Sequence, residues 1–230
     1  MNYYSKNIKE TEKILKTNIQ TGLSSKEALN RLKQNGENSI KDNNKKSNIS
    51  KFLAQFNDFM VIILLIAGAI SFITSFLQGE KDFLDAIIIV LIVFLNAILG
   101  FMQENKAEKA LEALKKMSSP KANVIRDNIL QKIDSENLVV GDIIVINNGD
   151  YISADARLIE CTNLKVEEAS LTGESTAIEK TTDIINIENS SIGDRKNMVY
   201  SGTLAINGKA KAIVTATGMQ TEIGKIAHML

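Results

Sequence analysis

The chain has 230 residues, with 27 Lys plus Arg set against 27 Asp plus Glu, and a mean hydropathy of -0.01. A balanced charge carries no global field toward nucleic acid or an acidic substrate, and this length makes one or two domains. A single cysteine, Cys161, and a single histidine, His228, leave no internal disulfide and no Cys/His zinc cluster to build.

Residues 1–51 are polar and lysine-rich without a short apolar core, so no cleavable signal peptide is read there. Ile8, Ile14 and Leu15 suggest a short helix. Ser24-Ser25-Lys26-Glu27 has capping-box spacing and introduces a second, with Ala28, Leu29 and Leu32 as its apolar face. Residues 41–50 are polar and read as a linker.

Two uncharged runs follow, 59–77 and 86–102, the second interrupted mainly by Asn96. Each is close to the roughly 20 apolar residues that cross about 30 Å of hydrocarbon. Residues 78–82 are short enough to make them a tight hairpin, with spans at about 59–77 and 84–102. Lys41, Lys45, Lys46 and Lys51 lie before the first span, and Lys106, Lys109, Lys115, Lys116 and Lys121 after the second. The loop between holds only Lys81, so both ends are expected in the cytoplasm of a multi-pass cell-membrane protein. Helix-forming residues continue to Met117, with Glu112 placed to pair with Lys116. A helix over 83–117 would be roughly 50 Å long, which leaves a cytoplasmic stalk ended by Ser118, Ser119 and Pro120. Asp85, near the outer membrane edge, and Asn96, an expected interhelical hydrogen bonder, are a poor cage for a hard cation, which wants six or more oxygens. No metal ligand is assigned.

Beyond Pro120 the pattern is short strands. Runs 122–126 and 129–133 flank Asp127-Asn128, 143–146 ends at Asn147-Asn148-Gly149-Asp150, and 198–206 and 209–217 flank Asn207-Gly208, a strong hairpin signal. No helices of 10–15 residues alternate with them, which disfavours a parallel sheet. The fold class expected is an α+β membrane protein. It combines a two-helix transmembrane hairpin and stalk (51–118), a small, mostly antiparallel β domain (119–230), and a cytoplasmic N-terminal helical segment and linker (1–50) packing with that domain.

Residues 166–171 mix apolar and acidic side chains and should end a strand near the surface, ahead of Thr172-Gly173-Glu174-Ser175. Gly173 permits a tight turn, and Thr172 and Ser175 can fix the loop by local hydrogen bonds. Glu174 then projects from the tip, where a carboxylate can orient and deprotonate a water. Four residues alone are a weak signal, equally readable as a turn with an exposed glutamate. Their company is more specific: Gly141-Asp142, Gly149-Asp150, Ala154-Asp155 and Leu164-Lys165-Val166 precede the loop, and Gly202-Thr203, Gly208, Thr217-Gly218 and Thr221-Glu222-Ile223-Gly224 follow it.

In that order and spacing these residues resemble the actuator domain of P-type cation-transporting ATPases, and 103–114 is similar to the stalk after the second membrane helix of those pumps. The resemblance covers nearly the whole chain. Residues 55–60, 95–100 and Thr21-Gly22-Leu23-Ser24 look most like the bacterial calcium-transporting branch. The resemblance implies a domain that rotates during the pump cycle. Glu174 would bring water to an aspartyl phosphate on another domain, with Thr172, Gly173 and Ser175 shaping the loop. It implies Ca2+ as the cation, carried through later membrane helices, with Na+/K+ or H+ as alternatives. Partners would be the bilayer and the phosphorylation and nucleotide-binding domains, without nucleic acid. ATP and Mg2+ are expected for the complete pump and no cofactor for this chain. Ser153 and Ala177 stand where the family often has proline, which removes backbone stiffness.

No aspartate here is followed by lysine, so the Asp-Lys-Thr-Gly acceptor of such pumps is absent. The chain is therefore expected to be an N-terminal portion, inactive alone in ATP hydrolysis and transport. The alternative reading is a truncated regulatory or partner-binding β domain on a membrane anchor, without catalysis.

Overall fold

The computed structural model describes residues 2–40, 47–77, 83–117, 120–174, 176–187 and 190–229, with the side chains of all of these but 112–117. In chain order, α1 (Ile8–Leu15) and α2 (Ser25–Asn35) precede α3 (Asn48–Ala54) and the long helices α4 (Phe59–Leu77) and α5 (Leu84–Met117). Strands β1 (Lys121–Arg126), β2 (Ile129–Asp134), β3 (Ile143–Asn147), β4 (Tyr151–Ile152) and β5 (Asp155–Glu167) follow. Then come the helical turn α6 (Ala169–Thr172), β6 (Ile178–Glu179), β7 (Met198–Val199), β8 (Thr203–Ala216) and α7 (Glu222–Met229). The chain divides into two units, Asp42–Ser118 and the combination of Met1–Lys41 with Ser119–Leu230.

In the first unit, α4 and α5 are long and apolar enough to cross a membrane. Ile66, Ile70 and Phe76 on α4, and Ile87, Leu91 and Leu95 on α5, stay exposed. Each would forgo about 1.5–3 kcal/mol of burial in water, so this surface suits hydrocarbon. The seam between the helices is made of small and slender side chains, as membrane helix pairs favour. Val61 and Gly68 are buried on α4, and Ala86, Val93 and Ala97, one heptad and then one turn apart, on α5. A Cβ on Gly68 would stand 3.1 Å from Ile89 Cγ2. Asn96 lies off this seam, exposed, and the interhelical hydrogen bond expected of it is not seen among the described residues. Asp85 is exposed in the first turn of α5, where a carboxylate suits the helix dipole.

The expected linker ends early. Ser47 caps α3 by accepting the Ser50 N–H, so residues 48–50 are helical. Lys51 is buried in an ion pair with Glu108, and Gln55 donates to Glu104 at 2.8 Å. The Phe52 ring meets those of Phe56, Phe94 and Phe101 edge-on, with centroids 5.5 to 6.2 Å apart. The expected linker residues 41–46, the turn at 78–82 and the helix stop at Ser118 and Ser119 lie outside the described residues, as does the Glu112–Lys116 side-chain pair.

The second unit is built on one sheet in the order β2-β1-β3-β8-β5-β6, with β4 on β8 and β7 on β5. All of these pairings are antiparallel. Asp127 and Asn128 join β1 to β2 with φ of 51° and 62°, the two positive values that a type I′ turn requires. Alternate residues of the central strands enter two clusters. Ile144, Leu158, Ala212 and Val214 join the main core, whereas Ile143, Ile159 and Ile213 pack with Leu15 of α1.

Residues before the hairpin are fastened to this sheet. Leu23 makes a parallel bridge to Arg126. Arg31 is paired with Glu27 and donates to the carbonyls of Leu15, Lys16 and Val140. Asn38 donates to the Ser135 and Ser153 carbonyls and accepts the Gly218 N–H. Ser24 caps α2 as the spacing predicts. Ala28 is buried, but Leu29 is 52% exposed and outside the expected apolar face.

The hairpin expected at Asn207-Gly208 is not formed. Residues 203–216 are one strand, β8, antiparallel to β5 along its length. Gly208 has the positive φ that the dipeptide advertises, 79°, and uses it for a bulge. Opposite it β5 carries Asn163 at φ 51°, and the register shifts between Thr162 and Lys165. The two strands bend together, and their backbones approach where Gly208 has no side chain.

Asp155 ties three segments. Its Oδ1 accepts the Ser201 N–H at 2.9 Å, and its Oδ2 the Glu222 N–H at 2.8 Å at the start of α7. Burial outweighs these bonds and raises its pKa from 3.8 to about 6. Between those values the folded unit holds a proton that the unfolded chain has released. This contribution to stability is therefore full below about pH 4 and is lost as pH rises through about 6. Urea unfolding of the 230-residue chain, followed by circular dichroism, should show Asp155→Asn removing that part of the pH slope. The same change should cost about 1 kcal/mol in lost capping at Glu222.

Candidate functional site

The loop that carries Glu174 is a short, capped turn. Strand β5 ends at Glu167, four residues short of Leu171, and α6 begins after the single residue Glu168. The Glu168 carbonyl accepts the N–H groups of Leu171 and Thr172, at 2.9 and 3.0 Å, and the Thr172 hydroxyl at 3.1 Å. Gly173 then takes φ 76°, and its N–H donates to the Ala169 carbonyl at 3.0 Å. That left-handed residue ends the turn. The Glu174 N–H donates back to Thr172 Oγ1 at 3.3 Å. Ser170 fastens the turn sideways by donating to the Gly202 carbonyl at 3.0 Å.

Thr172, Gly173 and Glu174 therefore form one unit in which the first two set the backbone of the third. Glu174 is exposed. Ser175, the remaining residue expected in the site, lies outside the described residues. Beside the turn is a cleft lined by Thr172, Glu174, Thr176, Glu179, Asp194 and Lys196, among others. It is open to solvent, and three carboxylates, those of Glu174, Glu179 and Asp194, face it with the one ammonium of Lys196. Among the described residues no group of three or more His, Cys, Asp and Glu could hold a metal.

Sequence reasoning missed the base of the loop. Glu168 and Lys180 are fully buried, with Oε1 and Nζ 2.5 Å apart. The Lys180 ammonium stands 5.8 Å from the centre of the Tyr200 ring. Burial pushes the Glu168 carboxyl up and the Lys180 ammonium down, and each charge opposes the shift of the other. A signal was available in the alternation of β5. Leu164 and Val166 point inward, and the same parity carries Glu168 inward. Arg157 was also missed. It is fully buried and donates to the carbonyls of Leu158, Thr182, Lys6 and Asn197. Burial lowers its pKa to about 10, which leaves it a cation at neutral pH.

Two family models match the chain. One describes the P-type ATPase actuator domain and covers residues 116–230. The other describes the N-terminus of cation transporters and ATPases and covers residues 3–71. Calcium-transporting ATPase 1 of Bacillus cereus is 45% identical over all of this chain and 26% of its own length. The calcium-transporting ATPase of Bacillus subtilis is 44% identical over 93% of this chain and 23% of its own. A sodium/potassium-exporting P-type ATPase of Schizosaccharomyces pombe is 41% identical over 97% of this chain and 21% of its own. The chain thus spans about a quarter of the length of these relatives.

Proposed function

The chain belongs to the P-type ATPases, and on that premise we propose that it is the N-terminal part of an ATP-driven calcium pump whose Thr172-Gly173-Glu174 turn dephosphorylates the enzyme. The observation that carries this reading is an exposed carboxylate on a backbone fixed by its own two predecessors. Such a group can hold a water by hydrogen bond and take its proton as the water attacks. The new bond forms between the water oxygen and phosphorus. The bond from phosphorus to the aspartyl oxygen breaks, the aspartate leaves as carboxylate, and inorganic phosphate is released. The acceptor aspartate, ATP and Mg2+ belong to domains outside these residues, and no step performed by this chain needs them as its own ligands. The test is the phosphoenzyme decay of a Glu174→Gln pump.

The lysines that flank α4 and α5 support a cytoplasmic placement for both ends of the hairpin. The continuous helix α5 offers a stiff element by which movement of the β unit could reach the bilayer. Calcium is favoured by the names of the two Bacillus relatives. The sodium/potassium exporter is 41% identical to this portion, against 45% and 44% for the two Bacillus pumps, which supports placing the ion ligands on later helices. Vesicles holding the complete pump should accumulate Ca2+ on ATP addition. ATP-driven Na+ or K+ movement without Ca2+ uptake would reassign the ion and leave the role of Glu174 standing.

A further inference from the structure

We propose that the buried Glu168–Lys180 ion pair is a positioning device that closes the base of the 168–180 loop and thereby sets where the Glu174 carboxylate stands. The inference rests on the dephosphorylating role proposed for that turn.

The pair joins the two ends of the loop. On one side Glu168 supplies the carbonyl that caps α6 and accepts the Thr172 hydroxyl, which in turn accepts the Glu174 N–H. On the other side Lys180 is set rigidly against β5. Its N–H donates to the Leu164 carbonyl at 2.9 Å, and its carbonyl accepts from Cys161 Sγ at 3.3 Å. An unbroken line of contacts therefore runs from the sheet through Lys180, Glu168 and Thr172 to Glu174.

Stability does not explain such a pair. Both side chains are entirely out of water, and Glu168 Oε2 has no hydrogen-bond partner among the described residues. Taking two charges out of water costs about as much as their attraction returns, and well-packed uncharged residues often serve stability as well or better. A buried pair does restrict geometry, because separating it leaves uncompensated charge in an apolar site. Here it restricts a turn whose tip must meet a reacting centre, where an error of about 1 Å can cost on the order of 100-fold in rate.

The decisive variant is Glu168→Gln with Lys180→Met, which removes both charges at similar volume and leaves neither stranded. Amide hydrogen exchange on the 230-residue chain in detergent should show at least about a tenfold acceleration over 169–174. Amides of β1, β3 and β8 should exchange as in the parent chain. In the complete pump the double variant should form phosphoenzyme normally and hydrolyse it on the order of 10 to 100 times more slowly. Parent-like exchange over 169–174 in the double variant overturns the inference, even if either single variant misfolds, because the pair is then merely structural. Glu174→Gln run in parallel separates the two ideas. If that change leaves hydrolysis untouched, the dephosphorylating role fails, whereas the exchange result still decides whether the pair holds the turn.

Discussion

Glu174→Gln in the complete pump is expected to leave phosphoenzyme formation intact and to slow its hydrolysis by roughly 10²–10⁴-fold, the usual contribution of a positioned general base. The amide is the same shape as the carboxylate, so the turn that presents it should persist. Thr172 Oγ1 still accepts the residue 174 N–H, and Gly173 still ends the helical turn at φ 76°. What is lost is the ability to take a proton from water as the phosphoryl bond breaks. The measurement is a chase of labelled phosphoenzyme with unlabelled ATP in the parent and variant pumps. Equal decay rates would remove Glu174 from the chemistry, whereas failure to form phosphoenzyme would place it in an earlier step. Glu174→Asp is a useful companion, since it keeps the base but withdraws it by one methylene. Its decay should fall between the two.

A large loss of stability is expected at Gly208. A side chain there meets two separate obstacles. At φ 79° an L residue is strained by about 1–2 kcal/mol. A Cβ would also stand 2.3 Å from the Asn163 carbonyl oxygen and 2.4 Å from that of Thr162. These are backbone atoms of the neighbouring strand and cannot turn aside. Gly208→Val should therefore destabilise the β unit by about 3 kcal/mol or more, within the range of strained-backbone substitutions. Gly173→Ala provides the control. Its φ is similar, but among the described residues beyond its two chain neighbours no atom lies within 4 Å of the added Cβ, so the cost should be only about 1 kcal/mol. Urea unfolding of the 230-residue chain reads both. A Gly208→Val cost no greater than that of Gly173→Ala would show that the β5–β8 approach is looser than described.

The same glycine shows where local signals stop. Asn207-Gly208 announces a backbone able to take positive φ, and that is correct. Whether positive φ reverses a chain or bulges it depends on which strand lies opposite, and β5 is more than forty residues away in sequence. Asp127-Asn128 makes the opposite case. There the strands on either side pair with each other, so the dipeptide and the topology agree. The two apolar helices were legible for a simpler reason. An uncharged run of this length is informative without any knowledge of its neighbours.

The candidate site divides along the same line. Thr172, Gly173 and Glu174 could be read in order because each acts on the next, through a hydroxyl, a left-handed residue and an exposed carboxylate. Composition, turn chemistry and span length are properties of short stretches, and they determined the hairpin, the antiparallel β unit and the turn. Only the tertiary structure decided that Glu168 faces Lys180, that Arg157 is buried among carbonyls, and that Asp155 caps a helix more than sixty residues later. Those partners are remote in sequence. Their identity as buried charges follows from which strands the sheet brings together, and no window of a few residues contains that information.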